Sequence, residues 1–143
     1  MSKIAIVFWS GSGNTEKMAD CIAEGAKNAG AEVDVMGWGD FSADKFAEYK
    51  AVAFGCSSQG SEQLEESEVE PKWTELEASL SGKKIALFGS YGWGDGQWMR
   101  DWCERANAAG ATLNEENGTI CNESPSEDAQ EECRDLGKSL ANW

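Results

Sequence analysis

Short apolar runs alternate with amphipathic stretches along the 143-residue chain. Lys3–Trp9, Glu32–Met36, Ala51–Cys56 and Lys83–Gly89 read as β-strands, with a weaker one near Thr119–Cys121. Three of them carry cores that are apolar throughout: Ile4-Ala-Ile-Val-Phe, Ala51-Val-Ala-Phe and Ile85-Ala-Leu-Phe. Such strands belong where both faces of a sheet are covered. Val33 and Val35 flank Asp34, an alternation that suits an edge strand. Between the strands the spacing turns helical. Met18, Cys21, Ile22, Ala26 and Ala29 make one stripe, and Gly30 stands where a helix should stop. Ser67 and Glu70 have capping-box spacing ahead of Pro71, with Trp73, Leu76 and Leu80 on one face. Asp95 is placed to cap a helix bearing Trp98, Met99, Trp102, Cys103 and Ala106, ended by Gly110. Ser124-Pro125 with Glu127 opens a last helix whose face is Ala129, Cys133, Leu136 and Leu140. Phe41–Phe46 has room for about one helical turn.

This alternation predicts a parallel sheet with helices on both faces. The length favours one domain over two, and no repeat, low-complexity block or linker divides the chain. A single doubly wound α/β domain over residues 1–143 follows. In such sheets ligands bind outside the carboxyl ends of the strands, where strand order reverses. The loops after the first, third and fourth strands therefore carry the chemistry.

The first is Ser10-Gly11-Ser12-Gly13-Asn14-Thr15, between a buried strand and a helix. Glycines let the backbone fold around an anion, amides at a helix start point toward it, and hydroxyls add donors. A P-loop would need lysine where Asn14 stands, and a dinucleotide fingerprint would need glycine where Glu16 stands. The loop suits a monophosphate held by neutral donors. The second, Cys56-Ser57-Ser58-Gln59-Gly60-Ser61-Glu62, offers a flexible Gly60 and a carboxylate, Glu62, for a ring N–H. On its own it is also an ordinary turn with a solvated Glu. The third, Gly89-Ser90-Tyr91-Gly92-Trp93-Gly94-Asp95-Gly96, sets aromatics among glycines. Trp9, Trp73, Trp98 and Trp102 read as core, whereas Trp93 reads as a platform for a flat ligand.

Charge narrows the partners. Lys and Arg number 12 against 26 Asp and Glu, a net charge of −14. Such a field repels nucleic acid and anionic lipid, and attracts basic proteins more strongly at low salt. The acidic run Glu62, Glu65, Glu66, Glu68, Glu70 is equally a solvated helix start and a docking patch. With no histidine, the usual zinc and His-based catalytic sites are out of reach. The five cysteines show no C-x-x-C pair and read as reduced thiols of a reducing cytosol. The run Ile4–Trp9 is too short for a signal-peptide core or a membrane span.

A phosphate cradle beside a glycine–aromatic clamp calls for a flat heterocycle with a phosphate tail. Ser10–Thr15, Gly55-Cys56 through Gly60-Ser61-Glu62, Leu64-Glu65-Glu66-Ser67, Glu70-Pro71 and Phe88 through Gly96 together resemble the short-chain flavodoxins of anaerobic bacteria, over nearly the whole chain. The resemblance implies a flavodoxin-like sheet of five parallel strands in the order 2-1-3-4-5, and flavodoxin is itself a standing example of the switch-point rule. It implies a low-potential one-electron carrier, cytoplasmic and monomeric, with one non-covalent FMN. Its partners would be redox proteins with basic docking surfaces, such as reductases and ferredoxin-linked oxidoreductases.

By the same resemblance Ser10, Ser12, Gly13, Asn14 and Thr15 hold the FMN phosphate, and Ser57 and Ser90 the phosphate and ribityl region. Trp93 stacks on the outer ring face, Glu62 accepts the ring N3–H, and Gly92 donates a backbone N–H near O2. Ser58 and Tyr91 belong to the same loops, and Asn122 matches a family loop close to the flavin. The carbonyl of Gly60 accepts from N5–H after the first electron arrives, which separates the two reduction steps. Gln59 departs from the pattern, since short-chain members usually carry Met there against the inner ring face. Two other readings compete. A flavodoxin-like FMN reductase acting on quinones or NAD(P)H needs extra loops, and this chain has little spare length. A flavin-free interaction module leaves the phosphate donors and Trp93 without a purpose.

Overall fold

The apolar runs become strands that share one direction. The computed structural model describes residues 3–11, 13–59, 63–92 and 94–143. Its strands are β1 (Lys3–Trp9), β2 (Glu32–Gly37), β3 (Ala51–Cys56), β4 (Lys84–Tyr91), β5 (Thr112–Leu113) and β6 (Thr119–Asn122). Its helices are α1 (Asn14–Asn28), α2 (Val69–Leu76), α3 (Gln97–Ala108) and α4 (Glu127–Asn142). The sheet runs β2-β1-β3-β4-β5, all parallel, and β6 also pairs with β4. The expected order and doubly wound class hold. One detail differs: the expected fifth strand comes in two pieces. Thr112–Leu113 pairs with Lys84–Ile85, and Thr119–Asn122 pairs with Phe88–Tyr91. The polar stretch between them carries no apolar run, so its first piece left no mark in the hydropathy pattern. β2 is the edge strand expected, with Val35 exposed. Two 3₁₀ segments, Trp38–Asp40 and Ala43–Glu48, replace the single turn expected at Phe41–Phe46.

Alternate residues of the central strands feed two cores. Ala5, Val7, Val52, Phe54, Ile85 and Leu87 face α2 and α3 and meet a ring cluster. In it Trp38 lies 5.3 Å from Phe54, and Trp73 lies edge-on to Trp102 at 5.4 Å. Trp38 and Trp98 donate their indole N–H groups to the carbonyls of Gly55 and Cys56. The Trp102 indole N–H, also buried, has no acceptor among the described residues. Trp73, Trp98 and Trp102 are core as expected; Trp9 is half-buried against it. Trp38, which the periodicity left unplaced, joins them.

On the other face Ile4, Ile6, Ala53 and Phe88 meet α1 and α4. There the helices touch through backbone. A Cβ on Gly25 would stand 1.9 Å from the Arg134 carbonyl oxygen, and one on Gly137 would stand 2.0 Å from that of Ile22.

Three expected helix caps are replaced by near neighbours. The Glu65 carboxylate accepts from the backbone N–H groups of Ser67 (2.9 Å), Glu68 (2.7 Å) and Val69 (3.3 Å), and from the Ser67 hydroxyl. Glu70, freed from any capping box, forms a two-pronged pair with Arg105 at 2.8 Å. Gly96, at φ 95, caps α3, while Asp95 pairs with Arg100 at 2.9 Å. The Ser126 hydroxyl accepts from the Ala129 N–H at 3.2 Å, displacing Ser124 as the cap of α4.

All five cysteines are buried and unpaired. Burial pushes every thiol up, Cys56 and Cys133 to about 12 and Cys103 and Cys121 to about 11. Among the described residues no helix is long and apolar enough to cross a membrane.

Candidate functional site

β1, β3 and β4 are neighbours and end together, so their three following loops converge. Thr15 joins them. It begins the second position of α1, fully buried, and its hydroxyl lies 2.7 Å from that of Ser57 and 3.1 Å from that of Ser90. It also accepts the Ser90 backbone N–H at 3.2 Å. The Ser58 N–H donates to the Ser90 carbonyl, which ties the second loop to the third. The first loop is closed by the Gly13 N–H donating to the Ser10 hydroxyl at 3.0 Å. Gly13 adopts φ 92, a left-handed conformation open to glycine, and from it α1 starts. The first amides of any helix have no intrahelical acceptor, so this start faces the convergence with donors.

Over the hydroxyl cluster lies a cavity of about 330 Å³. The first loop lines it with Gly11 and Asn14, the second with Ser57, Ser58 and Gln59, and the third with Ser90, Tyr91 and Gly92. No described lining residue is a Lys or Arg. A phosphate placed here would meet hydroxyls and amides rather than a cation, as the first loop suggested. The Tyr91 ring packs on Trp98 at 5.6 Å, which fixes the wall to the core. Gln59 donates its amide to the Ser58 carbonyl at 3.1 Å. Its backbone exchanges two 2.8 Å hydrogen bonds with Gln63, pinning both ends of the intervening segment. Gly60, Ser61 and Glu62 in that segment, and Ser12 and Trp93, lie outside the described residues.

Two lining residues were not among those assigned to the ligand from the sequence, although the first belongs to the loop singled out for a phosphate. Gly11 is one. Glu123 is the other, and it contributes the one carboxylate among the described lining residues. Its φ of 56 is the single positive value at a described non-glycine residue. The turn is held by the Glu123 N–H donating to the Tyr91 carbonyl at 2.6 Å. Asn122, expected near the ligand, donates its side-chain amide to the same carbonyl at 3.2 Å, and Glu123 takes the wall beside it. A side chain in a left-handed turn is a signal visible only in backbone geometry. Cys56, beneath the second loop, is fully buried and protonated at neutral pH, so it offers no nucleophile to the site.

A family model described as flavodoxin matches residues 6–137. The flavodoxin of Clostridium beijerinckii is 47% identical over 137 residues, which is 96% of this chain and 98% of that one. That of Megasphaera elsdenii is 47% identical over 139 residues, with the same coverage. The solution structure of two-electron reduced Megasphaera elsdenii flavodoxin superposes with a TM-score of 0.86 at 42% identity, covering 98% of this chain and 99% of that one.

Proposed function

The chain belongs to the flavodoxin family, FMN-binding electron carriers rather than enzymes, and from that premise we propose a low-potential shuttle passing single electrons between redox proteins. The observation that carries the reading is the hydroxyl cluster of Thr15, Ser57 and Ser90 at the switch point, beneath a cavity whose described lining holds no Lys or Arg. Neutral donors of this kind fit a phosphate monoester. Ser10, Ser12, Gly13, Asn14 and Thr15 hold the FMN phosphate, and Ser57, Ser58 and Ser90 extend the cradle toward the ribityl chain. Gln59, Gly60, Glu62, Tyr91, Gly92 and Trp93 enclose the ring, with Asn122 behind the third loop. The bound FMN supplies the one-electron chemistry. The protein's part is to hold the phosphate, orient the ring and keep its inner edge dry. The whole chain acts as one domain and a cytoplasmic monomer. Its charge of −14 supports docking to redox proteins with basic surfaces.

Reconstitution tests the reading. Apoprotein titrated with flavins should take up one FMN per chain, and riboflavin and FAD much more weakly. A visible-range redox titration of the loaded protein should then show two separate one-electron steps. Equal binding of riboflavin would remove the phosphate cradle, and a single two-electron wave would remove the shuttle.

A further inference from the structure

The second loop serves two cavities. Its first part, Ser57, Ser58 and Gln59, lines the one assigned to FMN. Its later part, Gln63, Leu64 and Glu66, lines another of about 280 Å³, against Trp98 and Trp102 of α3. The paired backbone hydrogen bonds between Gln59 and Gln63 couple the two parts. Along this stretch open space lies between the loop and α3, so the loop's position depends on how its end is held. Leu64, buried in the core, is one anchor. Glu70 and Arg105, which line the same cavity, make the other. The Arg105 guanidinium donates to both carboxylate oxygens of Glu70 at 2.8 Å, and through Nε to Glu77 at 3.1 Å. The Thr74 hydroxyl donates to Glu70 at 3.0 Å and the Trp73 indole to Glu77 at 3.2 Å, so each carboxylate is held from two sides. Glu70 in turn donates its backbone N–H to the Glu65 carbonyl at 2.9 Å, closing the end of the loop onto the first turn of α2.

We propose that Arg105 is a positioning residue of the flavin site: by holding Glu70 against α3, it sets where the second loop, and with it Gln59, stands beside the ring. The inference rests on the reading above that this loop encloses the ring, and adds a residue outside the cavity. With the Arg105 side chain 32% exposed and that of Glu70 42%, the pair by itself stabilises the fold little. Its worth lies in direction. A planar fork on two carboxylates fixes the angle between α2 and α3, which a point charge does not. A loop already in place gives up less freedom when FMN binds, so the fork acts by preorganisation.

The test sets Arg105→Met against Arg134→Met, which removes the same charge from α4, where Arg134 pairs with Glu131 and Glu24. Two quantities are read on FMN-loaded parent and variants: amide hydrogen exchange and the rate at which FMN leaves. In Arg105→Met the amides of Gln63 and Glu70, each bonded to a loop carbonyl, should exchange on the order of tenfold faster. The amides of β1 should keep the parent's rates, which a general loss of stability would not allow. FMN should also leave on the order of tenfold faster. Arg134→Met should stay within about twofold of the parent on both measures. Arg105→Lys, which keeps the charge and loses the fork, should fall between parent and Arg105→Met. An Arg105→Met protein that matches Arg134→Met at the Gln63 and Glu70 amides overturns the anchoring. Faster exchange there with parental FMN release instead removes the reading that this loop encloses the ring, and the positioning role with it.

Discussion

On one face of the sheet, aromatic rings meet at centroid distances of 5.1 to 6.5 Å; on the other, α1 and α4 approach until carbonyl oxygens fill the place of a side chain. Rings are thick and can shift slightly against one another, whereas backbone set against backbone has no slack. The two halves of the cavity inherit this difference. On the proposed reading the phosphate half stands on the start of α1, the helix fixed by Gly25 and Gly137, and the ring half on the other loops. Those loops lead into α2 and α3, over the aromatic layer. A rigid seat for the part of the ligand that never changes charge, and a more yielding frame for the part that does, is a sensible division.

The sharpest way to break that comparison is Gly137→Ala. Helix propensity alone would make the variant more stable by about 1 kcal/mol. The contact with the Ile22 carbonyl should reverse the sign, with a net loss of about 3 kcal/mol in urea unfolding. A stabilised variant would show that the helices can part. Next comes Thr15→Val, which keeps the shape but strips the buried Ser90 N–H of its acceptor. About 2 kcal/mol of stability should go, and FMN affinity should fall on the order of tenfold. Unchanged affinity in a fluorescence titration would mean that Thr15 holds only the fold.

On the ring face, Trp102→Phe should cost about 1 kcal/mol, since area is lost but no hydrogen bond. A loss matching Gly137→Ala would erase the contrast between the faces. Smallest is Glu65→Gln, at about 0.5 kcal/mol near neutral pH. Partial burial pushes the Glu65 carboxyl up, but hydrogen bonds from Ser67, Glu68 and Val69 outweigh it and hold it at about 2. That depressed value means its stabilisation is full above about 4.5, the usual carboxyl range, and is lost as pH falls toward 2. The parent and variant stability curves should therefore converge in acid and separate toward neutrality. Parallel curves across that window would place the cap elsewhere.

Sequence and structure agree best where a pattern repeats over many residues. The central strands follow from apolar runs that only a doubly covered sheet could bury, whereas their order came from the family resemblance and not from the hydropathy pattern. Helix starts were found to within a few residues, but the capping side chain was mistaken at three of them. Glu65, Gly96 and Ser126 cap where Ser67 with Glu70, Asp95 and Ser124 were expected. Several residues near each start could serve, and only the path of the chain decides among them. The site divides likewise. Glycine and serine composition marked the loops that meet at Thr15. Glu123 lines the cavity from a left-handed turn, and nothing in its neighbours' chemistry announces that turn.

The five buried thiols give the molecule a kind of insulation. A thiol near pH 11 is ionised to only about one part in ten thousand at neutrality, and thiolate is the reactive form. Cys103 and Cys121 sit at that level, and Cys56 and Cys133 lie further up still. Oxidation and disulfide exchange both run through the thiolate, so burial keeps the cysteines out of the redox chemistry around them.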